Sequence, residues 1–238
     1  MLKKLVKSVL RGKYVSLNQL DRKLEKYVDY DDGYFVELGA NDGVNQSNSL
    51  YFERYRNWRG LLIEPAPQNF LKCRENRSSR NVICCAACVS IEYDKEFVRI
   101  AYSNLMSTPI GLDSDIKDPQ AHAKLGGQFL RDGETVFEFG ALARTLNSLL
   151  VDACAPKLID FLSLDVEGAE LEVLKGVDHQ EFRFKYILVE CRDFNRLSDY
   201  LKNQGYFFVE KLSEQDYLFT DNETSRDVGR VQGVRHDG

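Results

Sequence analysis

Short apolar runs alternate with helix-patterned stretches along most of this chain. The runs are residues 34–38, 60–63, 82–89, 161–164 and 186–189. Strands that alternate with helices form a parallel sheet with helices on its faces. Two of the intervening helical patterns end at glycines, Gly176 and Gly205, as helices commonly do. The alternation therefore predicts an α/β fold with a mostly parallel central sheet.

The last two apolar runs, "YFFVEKL" and "DYLFT", are separated only by "SEQ". Three residues are too few for a crossover helix, so the runs must form an antiparallel hairpin. A parallel sheet that ends in an antiparallel hairpin is the Rossmann-like arrangement of class I methyltransferases. A dinucleotide-binding sheet ends in parallel strands instead. The fold prediction is consequently α/β of the class I methyltransferase type.

The stretch "FVELGANDG" changes abruptly from an apolar run to a polar turn with two glycines. Such a turn at the carboxyl end of a strand lets a ligand approach the backbone. A dinucleotide site would need a third glycine in G-x-G-x-x-G, and Glu37 and Asp42 would repel a pyrophosphate. The two acids favour a ligand with a positive group. S-adenosylmethionine has an ammonium and a sulfonium, and it has no phosphate.

The next run ends in "GLLIEP", which places Glu64 about 20 residues after the glycine turn. An acid in this position can accept hydrogen bonds from both ribose hydroxyls of a nucleoside ligand. The spacing does not distinguish a methyl donor from NAD. In the alternative interpretation, Glu64 is only an acid at a helix start before Pro65.

A second pair of acids follows the fourth run, in "DFLSLDVEGAELEVLKG". Asp165 and Glu167 come at the same sheet edge as Glu37 and Glu64, and should face the same cleft. Alternatively, Asp165 caps the helix that Val166, Glu167 and Gly168 would open.

Together, "FVELGANDGVNQSNSLYFE", "WRGLLIEPAP", "RTLNSLL", "DFLSLDVEGAELEVLKG" and "ILVE" resemble the FkbM family of S-adenosylmethionine-dependent methyltransferases. The resemblance covers about residues 34–220 and is poor over 102–140. It implies methyl transfer to a hydroxyl of a sugar, a glycan or a related natural product. It also implies a donor site, with Ser47 and Asn48 just inside the following helix. The predicted donor-site residues are Glu37, Gly39, Ala40, Asn41, Asp42, Ser47, Asn48, Glu64, Pro65, Ala86 and Ala87.

Methyl transfer to an alcohol needs a group that takes the hydroxyl proton. Asp165 is the first candidate, Glu167 the second, and His122 in the 102–140 segment the third. A divalent metal held by Asp165, Glu167 and another acid could instead lower the hydroxyl pKa, but no metal-specific spacing is present. Glu190 and Arg192 would line the acceptor cleft or form a structural ion pair.

The segments outside the alternation set the domain prediction. Residues 34–220 form the methyltransferase domain, and the polar segment 102–140 forms a variable lid or acceptor-binding part of it. Residues 1–33 read as a basic amphipathic helical segment with no membrane-spanning run, and residues 221–238 as a mobile tail. The net charge of -5 argues against nucleic acid as the main partner.

Cysteine usage predicts a cytoplasmic protein with reduced thiols, because the 238-residue chain is far from a small disulfide scaffold and three of its six cysteines crowd into "VICCAACVS". Cys85 and Cys88 form a C-x-x-C, but no second cysteine pair accompanies it, so we interpret both as small buried apolar residues.

Two other functions compete with a methyltransferase. An NAD-dependent oxidoreductase is opposed by the missing glycine and by the absence of a Tyr-x-x-x-Lys pair in the sequence. A non-catalytic binding module on the same fold would have lost the donor-site acids, which are present. The identity of the acceptor and the oligomeric state leave no pattern in the sequence.

Overall fold

Two β-sheets form the frame of the protein, of which the computed structural model describes residues 12–222. The strands are β1 (Tyr34–Leu38), β2 (Arg59–Ile63), β3 (Val82–Cys84), β4 (Ala87–Val89), β5 (Phe97–Tyr102), β6 (Thr108–Ile110), β7 (Phe137–Thr145), β8 (Leu158–Leu164), β9 (Arg183–Glu190), β10 (Tyr206–Lys211) and β11 (Asp216–Asp221). The helices are α1 (Leu20–Leu24), α2 (Leu50–Tyr55), α3 (Pro67–Asn76), α4 (Pro119–Leu125), α5 (Leu146–Asp152), α6 (Glu170–Lys175) and α7 (Phe194–Asn203). Short 3-10 turns lie at Leu17–Gln19, Asn104–Met106 and Gly126–Phe129.

The larger sheet has seven strands in the order β10-β11-β9-β8-β1-β2-β3. The strands from β9 to β3 are parallel, whereas β11 pairs antiparallel with both β9 and β10. The predicted parallel sheet with a terminal hairpin is therefore confirmed, and the fold is that of a class I methyltransferase. Strand order reverses between β1 and β8, and α/β sheets bind ligands outside the carboxyl ends of the strands at such a point.

Apolar side chains on both faces of the central strands hold the sheet between two layers of core. Every residue of β1 is buried. In the β1–β8 register, Phe35 lies opposite Phe161 and Val36 opposite Leu162. The two phenylalanines belong to one core cluster, and Val36 and Leu162 belong to the other. Burial on both faces explains why these strands read as continuous apolar runs.

The smaller sheet, with the order β4-β7-β5-β6, was not predicted. The single strand expected at 82–89 is wrong, because the chain leaves the large sheet after β3 and enters the small sheet at β4. β5 and β7 then pair antiparallel and form most of the small sheet. The 102–140 segment contains β6, α4, two of the 3-10 turns and the start of β7, so much of it has regular secondary structure.

The ends of the chain are described only in part. Of the predicted helical segment 1–33, residues 1–11 lie outside the described residues, and the described remainder contains the short helix α1. Leu24 and Val28 are buried in the same core cluster as Trp58. β11 runs one residue into the predicted tail, and residues 223–238 lie outside the described part. Among the described helices, we find none that is long and apolar enough to cross a membrane.

Replacing Gly39 by alanine should destabilise the protein by at least about 2 kcal/mol. The residue has φ +76°, and an added Cβ would lie 1.9 Å from the backbone oxygen of Asp165. The control is Gly127→Ala, where an added Cβ meets nothing within 4 Å. Urea unfolding of both variants checks the prediction, and equal midpoints would contradict it.

Candidate active site

A cavity of about 500 Å³ opens at the carboxyl ends of β1, β2, β8 and β9. The predicted donor-site residues that line it are Glu37, Gly39, Asn41, Ser47, Asn48, Glu64, Pro65, Ala86 and Ala87. All three candidate bases, Asp165, Glu167 and His122, also line it. Ala40 and Asp42 lie outside the cavity wall, within the loop that forms part of it. The structure thus gathers residues from four strand ends and from the 102–140 segment around one space.

The loop after β1 is held by its own polar side chains. Asn41 has a left-handed backbone, with φ 46°. Its backbone N–H donates to Glu64 Oε2 at 2.8 Å. One carboxylate oxygen of Asp42 accepts from the backbone N–H groups of Val44 and Asn45, and the other accepts from Arg131 at 2.8 Å. Asp42 therefore shapes the loop and ties it to the 102–140 segment.

Glu37 is paired with a buried arginine. Arg77 Nη1 lies 3.2 Å from Glu37 Oε2, and its Nε lies 2.7 Å from Glu53 Oε2. The same guanidinium donates to the carbonyl of Gly43 and to the hydroxyls of Ser47 and Ser49. Arg77 therefore fixes the whole turn between β1 and α2, and Glu37 reaches the cavity as part of this network.

Ser47 and Asn48 precede α2, which begins at Leu50, so their predicted place inside the helix is wrong. Glu37 accepts hydrogen bonds from Ser47 Oγ and from the backbone N–H of Asn48, which holds both residues at the strand end. Asn48 Nδ2 donates to Ser163 Oγ across the cavity floor at 3.0 Å. Its Oδ1 is buried without a hydrogen-bond partner among the described residues.

Glu64 lies at the end of β2 with its carboxylate between two backbone donors. Oε2 accepts from Asn41 N–H, and Oε1 accepts from Ala66 N–H at 2.9 Å. Burial raises the pKa of Glu64 to about 7, although the two backbone donors favour its charged form. The contact to Ala66 supports the start of α3, so Glu64 serves the helix start and also faces the cavity.

The wall beyond Glu64 is apolar. Ala86 and Ala87 line it at the point where the chain passes from the large sheet to the small one. Cys88 is buried, and its burial raises the pKa of the thiol. Cys85 is half-buried and its Sγ contacts the carbonyl of Pro65. All six cysteines lie in the described residues and are free thiols.

Three acids meet at the carboxyl ends of β8 and β9. Carboxylate oxygens of Asp165, Glu167 and Glu190 all lie within 4.8 Å of one another. Asp165 projects into the cavity, where its side chain stays accessible although protein atoms enclose it. Enclosure and the neighbouring carboxylates of Glu190 and Glu167 raise the pKa of Asp165 well above its usual value. Such a set either shares protons or holds a cation, because like charges this close cannot all stay ionised alone.

Glu167 is bound by two basic side chains. His122 Nε2 lies 2.8 Å from Glu167 Oε2, and Arg192 Nη2 donates to the same oxygen at 3.2 Å. Burial and Glu190 raise the pKa of Glu167 to about 7 despite Arg192. Burial and Arg192 lower the pKa of His122, so its imidazole is neutral near pH 7. The 102–140 segment thus brings His122, the third candidate base, into contact with Glu167.

The turn after Asp165 differs from the prediction, because α6 begins at Glu170 rather than at Val166. Glu167 and Gly168 have left-handed backbones, with φ 56° and 102°. Buried Glu170 accepts from the backbone N–H groups of Val166 and Gly168, and burial raises its pKa to about 8. Glu170 therefore stabilises the turn, and Asp165 is left to face the cavity.

Several cavity residues were not singled out from the sequence. They include Leu17, Asn18 and Leu20 before and in α1, Asn104–Met106 with Ser107, Ser163 in β8, and residues 213–216 in the hairpin turn and at the start of β11. Of these residues, only Ser163 could have been predicted from the sequence, because it precedes Asp165 by two residues and side chains two residues apart lie on the same face of a strand. The others reach the site through tertiary packing of segments that have no pattern.

This chain is similar to known methyltransferases. The Methyltransferase FkbM domain profile matches residues 37–208. A curated relative, Methyltransferase 1 from Beauveria bassiana (strain ARSEF 2860), is 24% identical over 184 residues, which cover 74% of this chain and 73% of the relative.

Solved methyltransferase structures are similar at low identity. Methyltransferase FkbM from Methylobacillus flagellatus KT matches with a TM-score of 0.46 and 16% identity over 80% of this chain. The match spans only 44% of that structure's chain. Precorrin-6y C5,15-methyltransferase from Geobacter metallireducens GS-15 matches with a TM-score of 0.42 and 13% identity, over 87% of this chain and 93% of the other.

Replacing Arg77 by methionine should lower the free energy of unfolding by about 3 kcal/mol or more, because Glu37 and Glu53 would stay buried without their partner. Chemical denaturation measures the loss. Arg80→Met is the control, since Arg80 is exposed and its guanidinium donates a hydrogen bond to the side chain of Asn57. We expect it to change stability by less than about 0.5 kcal/mol. A similar loss in both variants would contradict the role of Arg77.

Proposed function

Since this chain belongs to the FkbM methyltransferase family, we propose that it transfers a methyl group from S-adenosylmethionine to a hydroxyl group of a sugar, a glycan or a related natural product. The observation that carries the proposal is one cavity with Glu64 and the glycine turn on one side and the Asp165 acid cluster on the other. S-adenosylmethionine supplies a methyl group activated on a positively charged sulfur.

The donor side suits a nucleoside with a positive tail. Glu64 uses one lone pair on each oxygen for a backbone N–H, which leaves lone pairs for the ribose hydroxyls. The apolar wall at Ala86 and Ala87 suits adenine. The Glu37 loop and the orphaned Oδ1 of Asn48 suit the ammonium of the methionine end.

The acceptor side offers a proton acceptor. Asp165 is the first candidate, because it faces the cavity and its pKa is raised towards the range where a carboxylate becomes a stronger base. Glu167 is the second, with its orientation set by His122 and Arg192. His122, the third candidate, is engaged with Glu167 and thus acts on the hydroxyl through it. Positioning of the hydroxyl can supply up to about 7–11 kcal/mol of the barrier.

A divalent cation is the second way to activate the hydroxyl. Asp165, Glu167 and Glu190 present three oxygen ligands, the chemistry that Mg²⁺ prefers. We keep the metal-free mechanism first, because Arg192 already lies 3.2 Å from Glu167 and 3.8 Å from Glu190 and offsets part of their charge.

The charge of the cavity opposes the competing ligands. Its wall carries the carboxylates of Glu37, Glu64, Asp165, Glu167, Glu190, Glu214 and Asp216, against the guanidinium of Arg192 and the neutral His122 among the described residues that line it. This excess of negative charge disfavours the pyrophosphate of NAD and the phosphodiesters of nucleic acid. A neutral, hydroxyl-bearing acceptor fits best. The free thiols agree with a cytoplasmic location.

Glu64→Gln should weaken S-adenosylmethionine binding by about tenfold, because one strong acceptor of the ribose hydroxyls is replaced by an amide. The Glu64 carboxyl gains its charge as pH rises through about 7, so wild-type affinity should increase over that range, whereas the affinity of the variant should not. Calorimetric titration at several pH values measures both. Unchanged affinity in the variant would remove Glu64 from the ribose.

Asp165→Asn should lower turnover by about 10²–10⁴-fold, because the amide cannot take the hydroxyl proton. Binding of the donor should change little, since the donor contacts lie on the Glu64 side. Transfer of labelled methyl to the best acceptor from a panel of sugars and hydroxylated natural products measures turnover. A native rate in this variant would show that Asp165 is not the base.

A further inference from the structure

Asn104 is a buried residue of the 102–140 segment that contacts the loop after β1, residues 39–49, which we call the donor loop. Its Oδ1 accepts from Asn41 Nδ2 at 3.0 Å. Its Nδ2 donates to the carbonyl of Phe129 at 3.0 Å and to Glu134 Oε2 at 3.2 Å. The side chain is 5% exposed, and the residue lines the cavity. The amide oxygen thus joins the 102–140 segment to the loop after β1, and the amide nitrogen binds two residues within the segment itself.

The backbone at Asn104 is held in a rarely populated conformation. Its φ is 62°, a left-handed value that asparagine tolerates better than most residues. The turn around it is fixed by hydroxyls, since Ser107 Oγ donates to the Asn104 carbonyl and Ser103 Oγ donates to the Met106 carbonyl. Gly126 packs so closely that an added Cβ would lie 2.4 Å from Ser103 Oγ. Residues 104–107, all of which line the cavity, therefore form a preset wall.

A second contact joins the same two parts. Arg131 Nη2 lies 2.8 Å from Asp42 Oδ2, and the backbone N–H of Arg131 donates to Glu134 Oε2. Glu134 Oε2 is also the acceptor for Asn104. The Asn41–Asn104 and Arg131–Asp42 contacts thus lie side by side along the donor loop and share Glu134 within the segment.

We propose that Asn104 is a donor-positioning residue and that residues 104–107 form a wall of the donor site. This inference rests on the function proposed above. Asn41 lies between Asn104 and Glu64, because its side chain donates to Asn104 while its backbone N–H donates to Glu64. Loss of Asn104 would leave Asn41 Nδ2 without its acceptor, so among the described residues the Asn41 side chain would be held only by the backbone N–H of Asp42, and the Asn41 backbone N–H that orients Glu64 would be placed less firmly. The wall from the 102–140 segment would separate from the donor loop at the same point.

The test measures binding of S-adenosylhomocysteine by calorimetry, which needs no acceptor. Asn104→Ala should weaken binding by about tenfold or more. Asn147→Ala is the matched control, because Asn147 also bridges two segments, through Glu181 and the backbone N–H of Asp178, away from the cavity. Its melting temperature should fall comparably while its affinity stays at the wild-type value. An affinity loss that follows melting temperature in both variants would reduce Asn104 to a structural residue.

Arg131→Gln provides a second variant with less risk to folding, since its side chain is 36% exposed. This variant should bind S-adenosylhomocysteine several-fold more weakly. In the wild-type protein, bound S-adenosylhomocysteine should slow the hydrogen exchange of residues 104–134. If the wild-type protein binds S-adenosylhomocysteine and the Asn104→Ala and Arg131→Gln variants bind it with the same affinity, this inference is overturned and the proposed function stands. No binding to the wild-type protein would overturn both.

Discussion

The close approach of β1 and β8 at Gly39 is the constraint on which the site depends. A Cβ at Gly39 would lie 1.9 Å from the backbone oxygen of Asp165. Only glycine allows the two strand ends to come this near, and strand order reverses between these same strands. The donor loop after β1 and the acid turn after β8 therefore leave the sheet beside each other and share one cavity.

The second constraint is that each buried carboxylate must accept hydrogen bonds or lose its charge by protonation. Arg77 donates hydrogen bonds to Glu37, and backbone N–H groups donate to Glu64 and Glu170. His122 and Arg192 serve Glu167. Asp165 is enclosed among neighbouring acids and faces the cavity, which makes it the group best placed to take up a proton or a cation.

The sequence was most informative where local pattern and tertiary structure agree. Strands buried on both faces read as apolar runs, so β1, β2, β8, β9 and the final hairpin could be predicted. The strand at 82–89 was predicted as one piece, because nothing local marks the change of sheet after Cys84. Strand-end acids could be assigned to the site, but Arg77 and Asn104 could not. Their side-chain partners lie 24 to 63 positions away in the chain, from Arg77 and Glu53 at 24 positions to Asn104 and Asn41 at 63.

The central claim is that this cavity holds a positively charged nucleoside donor rather than a dinucleotide. Calorimetric titration of the purified protein with S-adenosylmethionine and, separately, with NAD tests it most directly. We expect micromolar binding of S-adenosylmethionine and no heat of binding with NAD. Binding of NAD in place of S-adenosylmethionine would contradict it.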